Sequence, residues 1–303
     1  MSSRVTKAFN NVRLKTIKAN IRESLRLQFQ NPQFSFTTSI ATRIWSRGSK
    51  PVLKAVIDQL DIKPDYNILE IGYGRGDGLA LACAKLRNGT GQLFGIEKSE
   101  YMERLASRRF VVEIMAENKM FLNRAKYLAY LPYPSNYFDS IFHVDVFYFW
   151  EDRTMFDSCS EFLRVLKPGG QIVCGMELNR LKKLEKWGIL NSKQNDPMKY
   201  TIWLEPTGFT DVKISYHTVE KHEVQLISAK KPETLIDEDP EVVMKRLEEE
   251  IKQYMFFQSL ADSMPMSKDM RQKFSDSVID GHVKEATKKF TREKELLNKR
   301  QAD

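Results

Sequence analysis

Cysteine is scarce in this 303-residue chain: Cys83, Cys159 and Cys174 stand at separations that match neither a close disulfide pairing nor a zinc site. They read as core thiols in a reducing compartment. No stretch approaches the ~18 consecutive apolar residues of a membrane-spanning helix, and no compact apolar segment follows the basic N-terminus. The expectation is therefore a chain without a membrane span that is not secreted, with an intracellular, cytoplasmic location. Ser/His/Asp, Cys/His and metal-ligand constellations are also missing, so no metal is expected. There is no internal repeat and no low-complexity tract. Acidic residues are nearly absent from one end. Residues 1–50 hold ten Lys/Arg against Glu23 alone, which accounts for more than the whole net charge of +8.

At 42% hydrophobic, the chain can bury one sizeable core plus extensions. Its organising stretch is Asn67 to Gly78, NILEIGYGRGDG. Ile68, Leu69 and Ile71 form a short apolar run that ends on glycine, as a buried parallel strand does at a sheet edge. Glycines follow at 72, 74, 76 and 78, and then LALACAKL has helical apolar spacing. A strand, a glycine turn and a helix in this order make an anion site, because the turn lies close to a ligand and the helix start offers unpaired N–H groups. The anion could be a phosphate or a carboxylate. A dinucleotide fingerprint, G-x-G-x-x-G, would place its third glycine at Asp77, whose charge would face a pyrophosphate. Glu70 instead stands two residues before the first glycine.

Glu70 and the alternating glycines resemble the first motif of class I S-adenosylmethionine-dependent methyltransferases. The resemblance implies that Gly72, Tyr73, Gly74 and Gly76 wrap the methionine end of the cofactor, with Glu70 reaching its ammonium. A second apolar strand, QLFGIE (92–97), ends in Glu97, about twenty residues beyond the loop, where an acid can accept from both ribose hydroxyls. Lys98 then begins the turn beside the adenosine. The segments LPYPSNYFDSIF and FLRVLKPGGQIV resemble late motifs of the type 11 methyltransferase family. They predict a fourth strand from Phe138 to Val144, a helix from Arg153 to Leu166, a KPGG turn and a fifth strand QIVCGM. Where many relatives place an adenine-binding aspartate, this chain has Tyr127, so adenine is assigned to Tyr127 or to the backbone at Leu128.

Asp145, at the end of the fourth strand, takes the position of a small polar residue beside the reacting methyl group. It is a candidate for both cofactor contact and catalysis, and Tyr148 is the second catalytic candidate. Tyr148, Phe149 and Trp150 would either enclose the acceptor or pack the next helix. His143, inside the strand, reads as a core histidine.

The implied fold is α/β: a doubly wound, Rossmann-like methyltransferase sheet, mostly parallel with an antiparallel closing strand, plus an N-terminal helical lid and a C-terminal helical extension. The expected divisions are a basic N-terminal segment at 1–50, a cofactor-binding domain at 51–232 and an extension at 233–303. Met1 to Arg26 fits a basic amphipathic helix, either a surface helix or a mitochondrial transit peptide. Residues 27–50, broken by Pro32 and Gly48, are a lid or a helix on the sheet edge, and a further helix starts near Pro51. Residues 177–191 read as an inserted helix, and 198–232 as the closing helix and strand pair. In the tail, Val243, Leu247, Ile251 and Tyr254 share one helical face, as do Met270, Phe274, Val278 and Phe290 along a second helix.

The activity implied is methyl transfer from S-adenosylmethionine to a small molecule. RNA or protein acceptors are the alternative, with the basic N-terminus in their favour. The fourth strand ends in VDVF and lacks the Asn/Asp-Pro-Pro-Tyr signature of enzymes that methylate exocyclic base amines. A non-catalytic scaffold and an NAD-dependent oxidoreductase are further readings.

Overall fold

A computed structural model describes residues 16, 19–191, 194, 196–233 and 252. The expectations for residues 1–15 and for the tail stripes lie outside the described residues. Helix α1 covers residues 19–30 and α2 covers Phe36–Leu60. The alternating region then runs β1 (Ile68–Ile71), α3 (Asp77–Leu86), β2 (Leu93–Glu97), α4 (Glu100–Arg109), α5 (Val111–Met115) and β3 (Met120–Arg124). The second half comprises β4 (Phe138–Val144), α6 (Met155–Val165), β5 (Leu166–Glu177), α7 (Leu178–Lys186), α8 (Met198–Leu204), β6 (Thr210–Val219) and β7 (His222–Lys230).

The strands form one seven-stranded sheet in the order β3-β2-β1-β4-β5-β7-β6, in which β7 runs antiparallel to both of its neighbours. From β1 the chain builds outward through β2 and β3, then returns to lay β4 on the other side of β1. That reversal leaves a crevice beyond the carboxyl ends of β1 and β4, the usual ligand position in an open α/β sheet. Both sheet faces are covered, so β1 is buried at every residue. Alternate side chains serve opposite layers: Leu69 and Ile71 face the α6 and α8 side with Phe162 and Leu204, while Ile68 faces the α2 and α3 side with Val56 and Leu79.

Three local readings are corrected. First, the break at Gly48 and the new helix at Pro51 do not occur, because α2 passes through both. Pro51 leaves the Arg47 carbonyl without its helical donor, but Arg47 is exposed and water can substitute. Burial of Val52, Val56 and Leu60, each 0% exposed, holds the second half in place. Second, KPGG does not precede the fifth strand but sits inside it. The β4–β5 register moves from Phe138↔Leu166 to Ser140↔Gln171, so residues 167–170 bulge, with Gly169 at φ +75°. The N–H of Gly169 donates to Lys231 O at 3.0 Å, and that of Lys231 to Gly170 O at 2.8 Å. Third, the helix after β2 is interrupted at Phe110, giving α4 and α5. The β4 boundaries agree with the predicted ones.

Candidate active site

The crevice is a cavity of about 630 Å³. Its floor is the turn after β1. Gly72 adopts φ +73°, and a Cβ there would come 2.5 Å from Val146, so any side chain would collide with the turn that follows β4. Gly74 (φ +52°) turns its open side toward free space, with no atom within 4 Å of a notional Cβ. Gly76 caps α3 in the left-handed region and does not line the cavity, so its role is to turn the chain into the helix.

Glu70 is 3% exposed and packs beneath the first turn of α3, where a Cβ on Gly78 would come 2.2 Å from Oε1. Burial pushes its carboxyl well above the usual carboxylate range, the charges of Asp77 and Glu97 push the same way, and the Leu79 N–H opposes them. Oε2 has no hydrogen-bond partner. A buried acid with an unused oxygen at the cavity floor suits a cationic ligand group.

Glu97 ends β2 and is held entirely by backbone. Oε2 accepts from Gly74 N–H at 2.9 Å, and Oε1 accepts from the N–H groups of Lys98 and Ser99 at 2.8 and 2.9 Å. Burial raises its carboxyl and these three donors restrain the rise. Oε2 accepts one bond and keeps capacity for a ligand hydroxyl. Tyr73 and Lys98 line the cavity; Tyr73 is 3% exposed and its hydroxyl has no hydrogen-bond partner. Tyr127 and Leu128 line the far end, with Tyr127 63% exposed and Lys126 Nζ 5.4 Å from its ring centre.

Asp77 does not stand open toward a phosphate. Ser46 donates to its Oδ2, and Arg109 Nη1 lies 2.6 Å from its Oδ1. Burial raises the Asp77 carboxyl, but these bonds outweigh it and the net shift is downward.

The other end of the cavity is organised by Arg180, which the sequence reading missed. Asp145 is 6% exposed at φ +61°, and its Oδ2 lies 2.9 Å from Arg180 Nη1. Arg180 Nη1 also donates to Ser49 Oγ at 2.7 Å, and Ser49 Oγ donates to Asp145 Oδ2 at 3.0 Å. Arg180 Nη2 donates to Trp45 O at 3.2 Å, and the guanidinium carbon stands 3.7 Å from the Trp45 ring centre. One arginine from α7 thus ties the end of β4 to the N-terminal half of α2. Asp145 lines the cavity; its Oδ1 is buried and has no hydrogen-bond partner at hydrogen-bonding distance and angle, and the Tyr148 phenol lies beside the same carboxylate.

Tyr148 departs from its expected position. It is 0% exposed, does not line the cavity and packs edge-to-face on Phe147 and Phe149. Burial, then the charge of Asp145, pushes its phenol well above its ordinary range. The cavity wall is instead formed by Phe149 and Trp150 with Phe29 and Trp45. His143 is fully buried, 3.1 Å from the Tyr200 hydroxyl and packed on Trp150, as a core histidine is. Within residues 27–50, Gln28, Phe29, Thr38, Thr42, Trp45 and Ser49 line the cavity, and Ser99 Oγ donates to Pro32 O at 2.5 Å.

Comparison with known proteins agrees with this architecture. A family model described as a methyltransferase domain matches residues 69–174. A ubiquinone/menaquinone biosynthesis C-methyltransferase of Burkholderia multivorans is 31% identical over 132 residues, 43% of this chain and 51% of that protein. A second, from Paraburkholderia phymatum, is 31% identical over 118 residues, 39% of this chain and 45% of that protein. The chain spans about half the length of these curated relatives. Among solved structures, the methyltransferase bound to the Trm112 activator of Haloferax volcanii shares the fold at TM-score 0.53. It is 14% identical, over 64% of this chain and 94% of that one.

Proposed function

We propose, from the premise that residues 69–174 form a methyltransferase domain of the type 11 family, that this protein transfers a methyl group from S-adenosylmethionine to a small-molecule acceptor. The observation that carries the reading is the meeting of Glu70, whose Oε2 is buried and unpaired, with Glu97 and the open face of Gly74 at one cavity. These groups fit the cofactor's charges. Glu70 would hold its ammonium, the start of α3 its carboxylate, and Glu97 Oε2 a ribose hydroxyl. The adenine end falls to Lys98, Tyr127 and Leu128.

When bound, the cofactor supplies an electrophilic methyl on a sulfonium, and in-line displacement disperses positive charge rather than creating an oxyanion. The protein's task is therefore alignment and exclusion of water. Phe29, Trp45, Phe149 and Trp150 provide the apolar wall for an acceptor, and Asp145 Oδ1 accepts a hydrogen bond from its O–H or N–H. With Tyr148 outside the cavity wall, the proton-accepting role rests on Asp145. The names of the bacterial relatives favour a carbon acceptor.

The test is calorimetric titration of the purified chain with S-adenosylmethionine and S-adenosylhomocysteine, beside Glu97→Ala. Binding in the wild type, with marked loss in the variant, supports the reading. A folded protein that binds neither compound overturns it.

A further inference from the structure

The N-terminal half of α2 carries its side chains in an unusual arrangement. Its inner face, through Thr38, Thr42, Trp45 and Ser49, lines the cavity. The opposite face, about 180° away at 100° per residue, carries Phe36, Ile40 and Ile44 with Arg43 and Arg47 among them. Phe36 is 80%, Ile40 46% and Ile44 65% exposed. Phe34, just before the helix, is 83% exposed, although its ring meets Tyr101 edge-to-face at 5.5 Å. A surface helix ordinarily turns its apolar stripe inward. Here four large apolar side chains face solvent together, which marks an interaction surface rather than scattered exposure.

The charge on this face selects the occupant. Arg43 and Arg47 are exposed and have no ion-pair partner among the described residues. From Phe36 onward α2 has no acidic side chain before Asp58. Residues 1–50 as a whole hold ten basic residues and one acid. A second copy packed face to face would bring like charges together, whereas an anionic lipid surface offers phosphates to the guanidinium groups above an apolar layer for the side chains between them. No helix among the described residues is long and apolar enough to cross a membrane, so the helix would lie in the interface.

We propose that this face of α2 docks on an anionic phospholipid bilayer, with Phe34, Phe36, Ile40 and Ile44 entering the headgroup boundary and Arg43 and Arg47 pairing with lipid phosphates. The inference goes beyond methyl transfer and does not depend on it. None of these six side chains lines the cavity.

The full chain is centrifuged with vesicles of about seven parts phosphatidylcholine to three parts phosphatidylglycerol, and with phosphatidylcholine alone. Wild type should partition roughly tenfold or more onto the anionic vesicles, less so as salt is raised. Replacing Phe34, Phe36, Ile40 and Ile44 by Ser should lower that partitioning by about tenfold or more, with the circular dichroism melt unchanged. Arg43→Glu with Arg47→Glu should do the same at low salt. No partitioning, or equal partitioning of wild type and both variants, would overturn the proposal. So would a fall in the mass of the free protein caused by the Ser variant, since the occupant would then be a second copy of the chain.

Discussion

The cavity has two halves, and their buried acids are held in different ways. At the β1–β2 half, Glu97 is gripped by three backbone N–H groups, two of them from the next two residues in sequence. At the β4 half, Asp145 is gripped by Ser49, 96 residues before it, and by Arg180 from α7. Backbone donors are supplied by the turn itself and need no particular side chain. Side-chain donors must be brought in by tertiary packing. The first half is therefore a local construction and the second a global one, and each should fail differently when disturbed.

The largest expected effect is on the second half. Arg180→Ala leaves Asp145 buried without its cation, and breaking a buried pair in this way costs about 3–5 kcal/mol. Urea unfolding should show that loss, and Asp145→Asn in the Arg180→Ala background should recover a substantial part of it. If the two single losses simply add, the ion pair contributes no coupling and the contrast between the halves is broken.

This contrast also separates what was legible in the sequence from what was not. The β1 turn, Glu70, Glu97 and the β4 boundaries are encoded within short windows, where apolar runs, glycine spacing and strand ends declare themselves. Arg180 lies in an inserted helix rich in Lys and Glu, where one more basic residue carries no signal, and only its burial at 8% exposure distinguishes it. The position of Tyr148 is hidden for a related reason. Four consecutive aromatic residues from Phe147 to Trp150 follow β4, and sequence does not say which turn inward. At Pro51 and KPGG tertiary context overrides the local rules: core packing carries α2 through the proline, and the β4 and β7 ladders carry β5 through the bulge.

Acid provides the next test of the global half. Burial pulls the His143 imidazole down to about 3. An unfolded histidine titrates near 6.5, so below that value the unfolded chain takes up a proton that the folded chain refuses. Stability should fall by a few kcal/mol as pH drops from about 6.5 toward 3. His143→Gln, which keeps a hydrogen-bonding partner for Tyr200, should flatten this limb. Equal acid limbs in wild type and variant would place the weak point elsewhere.

Glu70 carries the opposite sign and tests the local half. Its carboxyl is raised by burial, so the folded state holds a proton that the unfolded state has lost, and stability should decline as pH rises above about 4.3. Glu70→Gln cannot ionise. It should melt above wild type at pH values near neutrality and alongside it in acid. A bound ammonium would draw the Glu70 carboxyl to its ionised form, which Gln cannot adopt, so the same variant should bind S-adenosylmethionine more weakly by about 1.5–3 kcal/mol, the worth of a hydrogen bond between charged groups. A stable variant that binds as wild type would remove Glu70 from the cofactor site.

The smallest effect sharpens the comparison most, because it concerns the link between α2 and the second half rather than either acid. Arg180 meets Trp45 both at its carbonyl oxygen and over its ring. Trp45→Leu keeps the carbonyl and an apolar side chain but removes the cation–π contact, at a cost of about 0.5–2 kcal/mol. Trp45 also lines the cavity beside Phe149 and Trp150. The variant should therefore weaken acceptor use, seen as a raised KM, while the affinity for S-adenosylhomocysteine stays at the wild-type value. Parallel loss of both would show that α2 positions the glycine turn as well, through Ser46 on Asp77, and that the two halves share one support.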